Sequence, residues 1–258
     1  MVEVTVPTAR GVRLAGTLQH PTGEPRQGWA VLFAHGFLTD RSSRGRADRI
    51  GAAYRRAGYA TLAFDFSGCG DSDDDVVTVE NEVQDLEAAS TFLAEQGWAR
   101  QVVHGHSLGA LVALRSGCAH AEAMVLTGAL SGPVVHPWEE ILGPGPMAEL
   151  RTTGRTDVID DGPGARERMQ LSVQTLADFT DVDQEEVLGT VTCPVLLVHG
   201  GALVDGEEHP LLTRSRIGLP LLPAGSRLEV VPGAEHGLLD RSDEVAALAL
   251  AWLSEVTG

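Results

Sequence analysis

The sequence predicts an α/β fold: a mostly parallel eight-stranded sheet flanked by helices, with a small inserted cap. Three observations predict it. Short apolar runs alternate with stretches of helical spacing through most of the chain. The inner runs are apolar without alternation, as strands buried on both faces must be. One connection, from Leu126 to Pro194, far exceeds the roughly 10–12 residues a crossover needs.

Val2, Val4 and Val6 alternate before Pro7, and residues 12–19 form a second run closed by Pro21-Thr22-Gly23, so the two are expected to pair as an antiparallel edge. Residues 29–34 read as a buried strand. A helix over 44–57 follows and stops at Gly58, a C-cap residue. Residues 59–66 form the next strand. Val79, Val83, Leu86, Ser90 and Leu93 lie on one helical face that ends at Gly97. A strand over 101–104, a helix over 108–119 and strands over 123–126, 194–199 and 227–231 complete the pattern. The last helix carries Val245, Leu248, Ala249, Trp252, Leu253 and Val256 on one face, with Ser242 or Asp240 as N-cap. The segment 132–190 reads as the inserted cap, and 1–131 with 191–258 as the core.

Composition bounds the function. The 258 residues hold 36 Asp plus Glu against 19 Lys plus Arg, a net charge of −17, and 43% hydrophobic side chains. Such a chain can bury a core and is not a disordered acidic segment. The charge argues against nucleic acid as a partner, because no basic face offsets phosphate repulsion. Cys69, Cys118 and Cys193 are far apart and odd in number, which disfavours a disulfide framework or zinc site and fits a reducing compartment. The N-terminus lacks a basic start followed by an apolar run, and no stretch nears the ~18 apolar residues of a membrane span. The expectation is a soluble cytoplasmic protein, no membrane, no metal, no cofactor, and an open oligomeric state, homodimer included.

Gly105-His106-Ser107-Leu108-Gly109 lies directly after one strand and before one helix. In that setting G-x-S-x-G is a turn that pushes the serine hydroxyl out at the carboxyl end of the sheet. The glycines permit close backbone approach, and the helix start offers free N–H groups to developing negative charge. Serine needs a base to take its proton. His236, in the loop between the last strand and last helix, reaches the same edge and is the expected base. His35 and His199 end strands and read as structural; His104 and His106 belong to the strand and the turn; His20, His120, His136 and His209 lack a comparable setting. The order nucleophile, acid, histidine puts the acid after strand 194–199, where Asp205 is preferred over Glu207 and Glu208. The expected oxyanion donors are the backbone N–H groups of Leu108 and of Phe37 in His35-Gly36-Phe37, each worth roughly 3–4 kcal/mol in the transition state.

These landmarks, with Asp65-Phe66-Ser67-Gly68-Cys69-Gly70-Asp71-Ser72 and Gly233-Ala234-Glu235-His236, stand in an order that resembles the α/β-hydrolase superfamily over essentially the whole chain. Within it the chain is similar to small serine esterases of the cinnamoyl and feruloyl type. The resemblance implies Ser107, Asp205 and His236 as catalytic residues, a structural turn at Asp65 and Ser72, and a modest cap before the seventh strand. Relatives carry the acid three residues after the glycine of the His199-Gly200 turn; here that residue is Leu203. Ser107 excludes the relatives that use an aspartate nucleophile.

The run Asp71, Asp73, Asp74, Asp75 lacks the alternation of a calcium loop and reads as a solvated, charge-rich loop. Trp138, Ile141, Leu142, Met147, Met169, Leu176 and Phe179 of the cap either line an acyl pocket or hold the cap together, with Trp138 and Met147 taken as substrate-binding. The expected function is hydrolysis of a small-molecule ester or thioester through an acyl-enzyme. The alternatives are an acyltransferase or thioesterase acting on a carrier-bound acyl group, which the basic group Arg41, Arg44, Arg46 and Arg49 keeps open, and a binding protein that lost catalysis.

Overall fold

The structure, a computed structural model, describes residues 1–160 and 164–257. Asp161, Gly162 and Pro163 of the acidic stretch in the cap lie outside the described residues. In chain order the elements are β1 (Val2–Pro7), β2 (Arg13–Gln19), β3 (Trp29–Ala34), α1 (Arg46–Arg56), β4 (Ala60–Phe64), α2 (Val79–Glu95), β5 (Arg100–His106), α3 (Leu108–Arg115) and β6 (Ala121–Thr127). The segment after β6 then contributes α4 (Trp138–Leu142), α5 (Pro144–Thr153), β7 (Arg155–Ile159), β8 (Arg168–Ser172), α6 (Val173–Ala177) and α7 (Gln184–Gly189). β9 (Val195–Gly200), α8 (Pro210–Gly218), β10 (Arg227–Val231) and α9 (Ser242–Val256) close the chain.

Eight strands form one sheet in the order β1-β2-β4-β3-β5-β6-β9-β10. β2 runs antiparallel to β1 and β4, and every other pairing is parallel. β3, β5, β6 and β9 occupy the middle and are covered on both sides, which is why their sequences are apolar without alternation. Register aligns their ends: Ala34 pairs with Gly105, His106 with Thr127, and Thr127 with Val198. The loops that follow these strands therefore meet at one edge, the place where parallel sheets gather ligands.

One face is buried by α2 and α3, with Leu86, Leu93 and Leu111 in its core. The other is buried by α1 and α9, with Ile50, Tyr54, Trp252 and Leu253. Trp252 anchors α9 twice, through burial and through Nε1–H donated to the Gly225 carbonyl at 2.9 Å. Truncating such a buried indole to alanine costs about 3–5 kcal/mol.

Some expected boundaries shift. The N-cap of α9 is Arg241, not Asp240 or Ser242; Ser242 is the first helical residue and its hydroxyl bonds the Leu239 carbonyl. α3 ends at Arg115 because Ser116 turns extended, at ψ 141°. The hairpin β7-β8 and helix α8 had no clear sequence signal, since β7 and β8 bury only one and two of their five side chains.

The segment between β6 and β9 is stitched down onto the rest of the molecule. Phe179, Val182, Val187 and Leu188 join the main core. Gln170 accepts from Val77 N–H at 3.0 Å, Asp178 accepts from Val79 N–H at 2.8 Å, and Arg166 donates to the Gly70 carbonyl at 3.0 Å. The Asp71–Asp75 run is more organised than a solvated loop: Arg41, Arg13, Arg166 and Arg10 bond Asp71, Asp73, Asp74 and Asp75 respectively. Among the described residues no helix is long and apolar enough to cross a membrane.

Candidate active site

Ser107 links β5 to α3 with φ 53° and ψ −115°, backbone that side chains other than glycine rarely adopt. Strain of this kind costs of order 1–3 kcal/mol and persists because the surroundings enforce it. The enforcement is local and steric. A Cβ on Gly105 would meet the Gly109 carbonyl at 2.8 Å, and one on Gly109 would meet the His35 carbonyl at 2.2 Å. The two glycines of the motif are thus required where the turn threads between β3 and α3. Ser107 N–H then bonds the Thr127 carbonyl at 3.0 Å, locking the turn to β6.

His236 Nε2 lies 3.2 Å from Ser107 Oγ. Two glycines on neighbouring strands make this approach possible. A side chain on Gly200 would strike the Ala234 and Glu235 carbonyls at 2.3 and 2.4 Å, so the loop carrying His236 rests directly on the end of β9. A Cβ on Gly128, which has φ +53°, would sit 2.7 Å from His236 Cε1 and 2.8 Å from Nδ1. Burial, reinforced by His209, Arg46 and His136, pushes His236 down to about 4. At neutral pH it is therefore an uncharged imidazole, able to accept a proton.

Around His236 are other imidazoles. His209, at the start of α8, stacks on it with centroids 5.1 Å apart and planes 6° from parallel. His106 lies on another side at 5.3 Å. Thr127 Oγ1 donates to the Gly105 carbonyl, so it accepts from His106, whose Nδ1 carries the hydrogen at 3.0 Å. Among the described residues no carboxylate bonds His236 Nδ1. Asp205 stands apart: it is exposed, at φ 53°, in a two-residue turn with Gly206 closed by paired bonds between Val204 and Glu207. Glu207 is exposed too, and Glu208 bonds Thr213 and Arg216.

The loop after β3 lies against the motif. A Cβ on Gly36 would be 3.2 Å from His106 Cδ2 and 3.5 Å from Ser107 Cβ. The backbone N–H groups of Phe37 and Leu108 have no acceptor among the described residues. His35, expected to be structural, is so: its Nδ1–H donates to the Gly36 carbonyl and its Nε2 accepts from Phe66 N–H. His199 bonds the Ser215 hydroxyl at 2.9 Å rather than a loop backbone.

Above Ser107 opens a cavity of ≈ 240 Å³ bounded by the 36–46 loop and the His236–Leu239 segment. Neither Trp138 nor Met147 lines it. Trp138 sits behind Phe37, with rings 6.0 Å apart, in an aromatic group with Phe179 and His136. Met147 is half-buried on α5. Ile141 is exposed, and Leu142 and Met169 pack with Cys69 and Val77. Cap hydrophobes thus serve mainly to hold the segment together.

Of the four expected basic residues, only Arg44 and Arg46 line the cavity. Arg41 turns away to Asp65, Asp71 and Glu3, and Arg49 bonds the Leu239 carbonyl and Ser242 hydroxyl. The residues that sequence reasoning missed are Gly128 and His209; Arg46 was singled out only as one of a basic group. His209 had a usable signal, since it lies in the same post-β9 loop searched for an acid. Gly128 had none, because its importance lies in what approaches it across the sheet.

A profile described as Alpha/beta hydrolase family matches residues 31–248. The chain belongs to that family. No curated protein sequence matches this α/β hydrolase. Among solved structures it is similar to the α/β hydrolase GrgF from Penicillium sp. sh18, at 16% identity and TM-score 0.76, covering 99% of this chain and 98% of that one. It is also similar to Est1E from Butyrivibrio proteoclasticus, solved with ferulic acid bound, at 18% identity and TM-score 0.72, covering 97% and 99%. The esterase domain of a Rhodothermus marinus protein matches at 24% identity and TM-score 0.67, covering 100% and 99%. At these identities the likeness establishes the hydrolase fold over the full length of the chain.

Proposed function

We propose that this α/β hydrolase cleaves carboxylic esters by a two-step serine mechanism. The observation that carries the reading is the 3.2 Å contact between Ser107 Oγ and a histidine held neutral by its surroundings. Ser107 Oγ attacks the ester carbonyl carbon while its proton passes to His236 Nε2. The tetrahedral oxyanion sits against the Phe37 and Leu108 N–H groups, two donors with no other acceptor to satisfy. Collapse breaks the bond to the alkoxide, which leaves with the proton from His236. Water then adds to the acyl-enzyme, gives its proton to His236 and releases the carboxylic acid as Ser107 recovers its hydrogen.

The esterase names of structural relatives, one of them with ferulic acid bound, support an ester as the substrate. In this reading His236 is oriented by the Gly128 and Gly200 contacts and by stacking on His209, and Asp205 has no step. The acyl chain is assigned to the Phe37 side of the cavity, with Trp138 supporting Phe37 from behind, and Met147 receives no role.

A fluorophosphonate probe tests the reading. Stoichiometric labelling of the native chain, lost in Ser107→Ala, is the expected result, together with turnover of a short 4-nitrophenyl ester. A folded sample that neither labels nor turns over such esters overturns it.

A further inference from the structure

The cavity above Ser107 carries a charge opposite to that of the molecule around it. The chain has a net charge of −17, yet among the described residues no Asp or Glu lines this cavity; Arg44, Arg46, His106 and His236 do. Arg46 is the one buried cation among the described residues, at 6% exposure. Guanidinium has five N–H donors, and Arg46 uses one of them, Nη1 to the Gly237 carbonyl at 2.6 Å. It has no ion-pair partner among the described residues. Burial and the neighbouring Arg49 push it down to about 10, the mark of a charge without compensation.

The guanidinium nitrogens of Arg46 that bond nothing are not fully buried, so they reach the cavity, where a cation with no carboxylate partner among the described residues is left for a ligand to compensate. The nearby acids are committed elsewhere: Asp40 caps Ser42 and Ser43 N–H at 2.8 and 3.0 Å, and Asp65 is held by Arg41. The backbone adds a second, independent expense. Ser43, Arg44 and Gly45 are all left-handed, with φ of 50°, 58° and 78°, although two of them carry side chains. That turn is what sets Arg44 at the cavity beside Arg46. Arg44 too has no ion pair among the described residues. Strain and uncompensated charge concentrated at one cavity are features a ligand can relieve.

We propose that the cavity accepts esters bearing a carboxylate, held by the guanidinium groups of Arg46 and Arg44 while Ser107 attacks the ester carbonyl. The proposal rests on the ester-hydrolase reading for its chemistry, and on the cavity alone for its charge preference. A planar carboxylate matches the paired N–H groups of guanidinium, and ≈ 240 Å³ suits a small acid rather than a long chain. The same donors would also hold a phosphate, so the two anions are separated by experiment.

Two ester pairs of matched size test it: mono-4-nitrophenyl glutarate against 4-nitrophenyl valerate, and 4-acetoxybenzoate against phenyl acetate. A third comparison sets 4-acetoxyphenyl phosphate against 4-acetoxybenzoate. In at least one carboxylate pair, kcat/KM is expected to favour the anion by about tenfold or more. Arg46→Gln lowers that ratio by about tenfold and Arg46→Lys restores part of it, while Arg44→Gln lowers it about threefold. Arg44 is exposed, so its variant reads the ratio even if Arg46→Gln fails to fold. Binding is read separately by calorimetry with the unreactive amides glutaramate and valeramide. Arginine-dependent glutaramate binding without ester turnover sinks the esterase reading and keeps the anion site. Ester turnover with no anion preference in either pair, or a preference unchanged in both arginine variants, overturns the anion site. A phosphate preferred over the carboxylate overturns the carboxylate assignment.

Discussion

The turn over residues 65–75 and the cavity above Ser107 lie at the same end of the sheet and treat charge in opposite ways. In the turn, every acid from Asp65 to Asp75 has an arginine, and the arginines come from distant elements: Arg10, Arg13, Arg41 and Arg166. Asp65, fully buried, also accepts from Arg41 N–H at 2.6 Å and Asp71 N–H at 2.9 Å. In the cavity, two guanidinium groups and two imidazoles belong to the lining, with no acid among the described residues there. Arg41 and Arg46 are five residues apart in one loop-and-helix start, yet one is paired and one is not. Matched charges hold a shape; unmatched charges beside a candidate nucleophile leave a polarity for a ligand to complete.

The comparison predicts that the cavity tolerates change in activity terms far less than in stability terms. His236→Ala should lower kcat by about 10⁴-fold or more, with the melting temperature nearly unchanged. Steady-state kinetics beside a thermal melt checks this, and a loss under tenfold breaks the assignment. Gly128→Ala places a methyl at His236 and needs φ +53°, so a loss of about 10²-fold is expected, with the base misplaced rather than removed. A residual reaction rescued by added imidazole would sharpen the point.

The turn should behave in the reverse sense. Asp65→Asn leaves Arg41 with a weakened buried partner and should cost about 3 kcal/mol in denaturant unfolding. Its effect on any anion-to-neutral ester ratio should stay within about twofold. A change in that ratio as large as that of Arg46→Gln would erase the distinction between the two regions.

Acidity separates them further. His236 is faced by His209 from the start of α8, Arg46 from α1, His136 from the segment before α4 and His106 from β5, with no carboxylate among them. The acid limb of kcat/KM should therefore fall near 4, below the ordinary histidine value of about 6.5. Arg46→Gln removes one of the groups that lower it and should move that limb upward. The sign for stability follows from the same depression. His104 and His199 lie at about 3 and His236 at about 4, so the unfolded chain binds more protons below about 6.5. Stability contributed by these neutral imidazoles is complete above that pH and is lost as pH falls toward their folded values. A urea titration at pH 7 and pH 5 should show the decline, and the activity limb is read only where the fold persists.

The smallest effect is expected at Asp205. Asp205→Asn should change kcat/KM by less than about threefold, since the side chain sits exposed at a turn away from His236. A loss near 10³-fold would show that the post-β9 loop rearranges to deliver its carboxylate.

The candidate site was legible in the sequence where the physics is local. Gly105, Ser107 and Gly109 mark their turn within five residues: a Cβ on Gly105 would meet the Gly109 carbonyl four residues on, while one on Gly109 would meet Ala34 and His35 at the end of β3. His236 was legible because loop order along a parallel sheet decides which segments share an edge. The same reasoning chose Asp205 and passed over His209, since both occupy the right loop and only the Val204–Glu207 turn separates their fates. The long connection between β6 and β9 was legible, but the hairpin within it was not, with few buried residues per strand.

By itself, then, the sequence determined the sheet, its helical cover, the strained serine and the histidine that faces it. These follow from apolar patterning and from backbone sterics that act between neighbours. Only the tertiary structure decided which charges are neutralised. Arg10 finds Asp85, and Arg166 finds Asp74, while Arg46 finds only a carbonyl. Those pairings join segments far apart in the chain, and electrostatic compensation depends on distance in space, which no local pattern records.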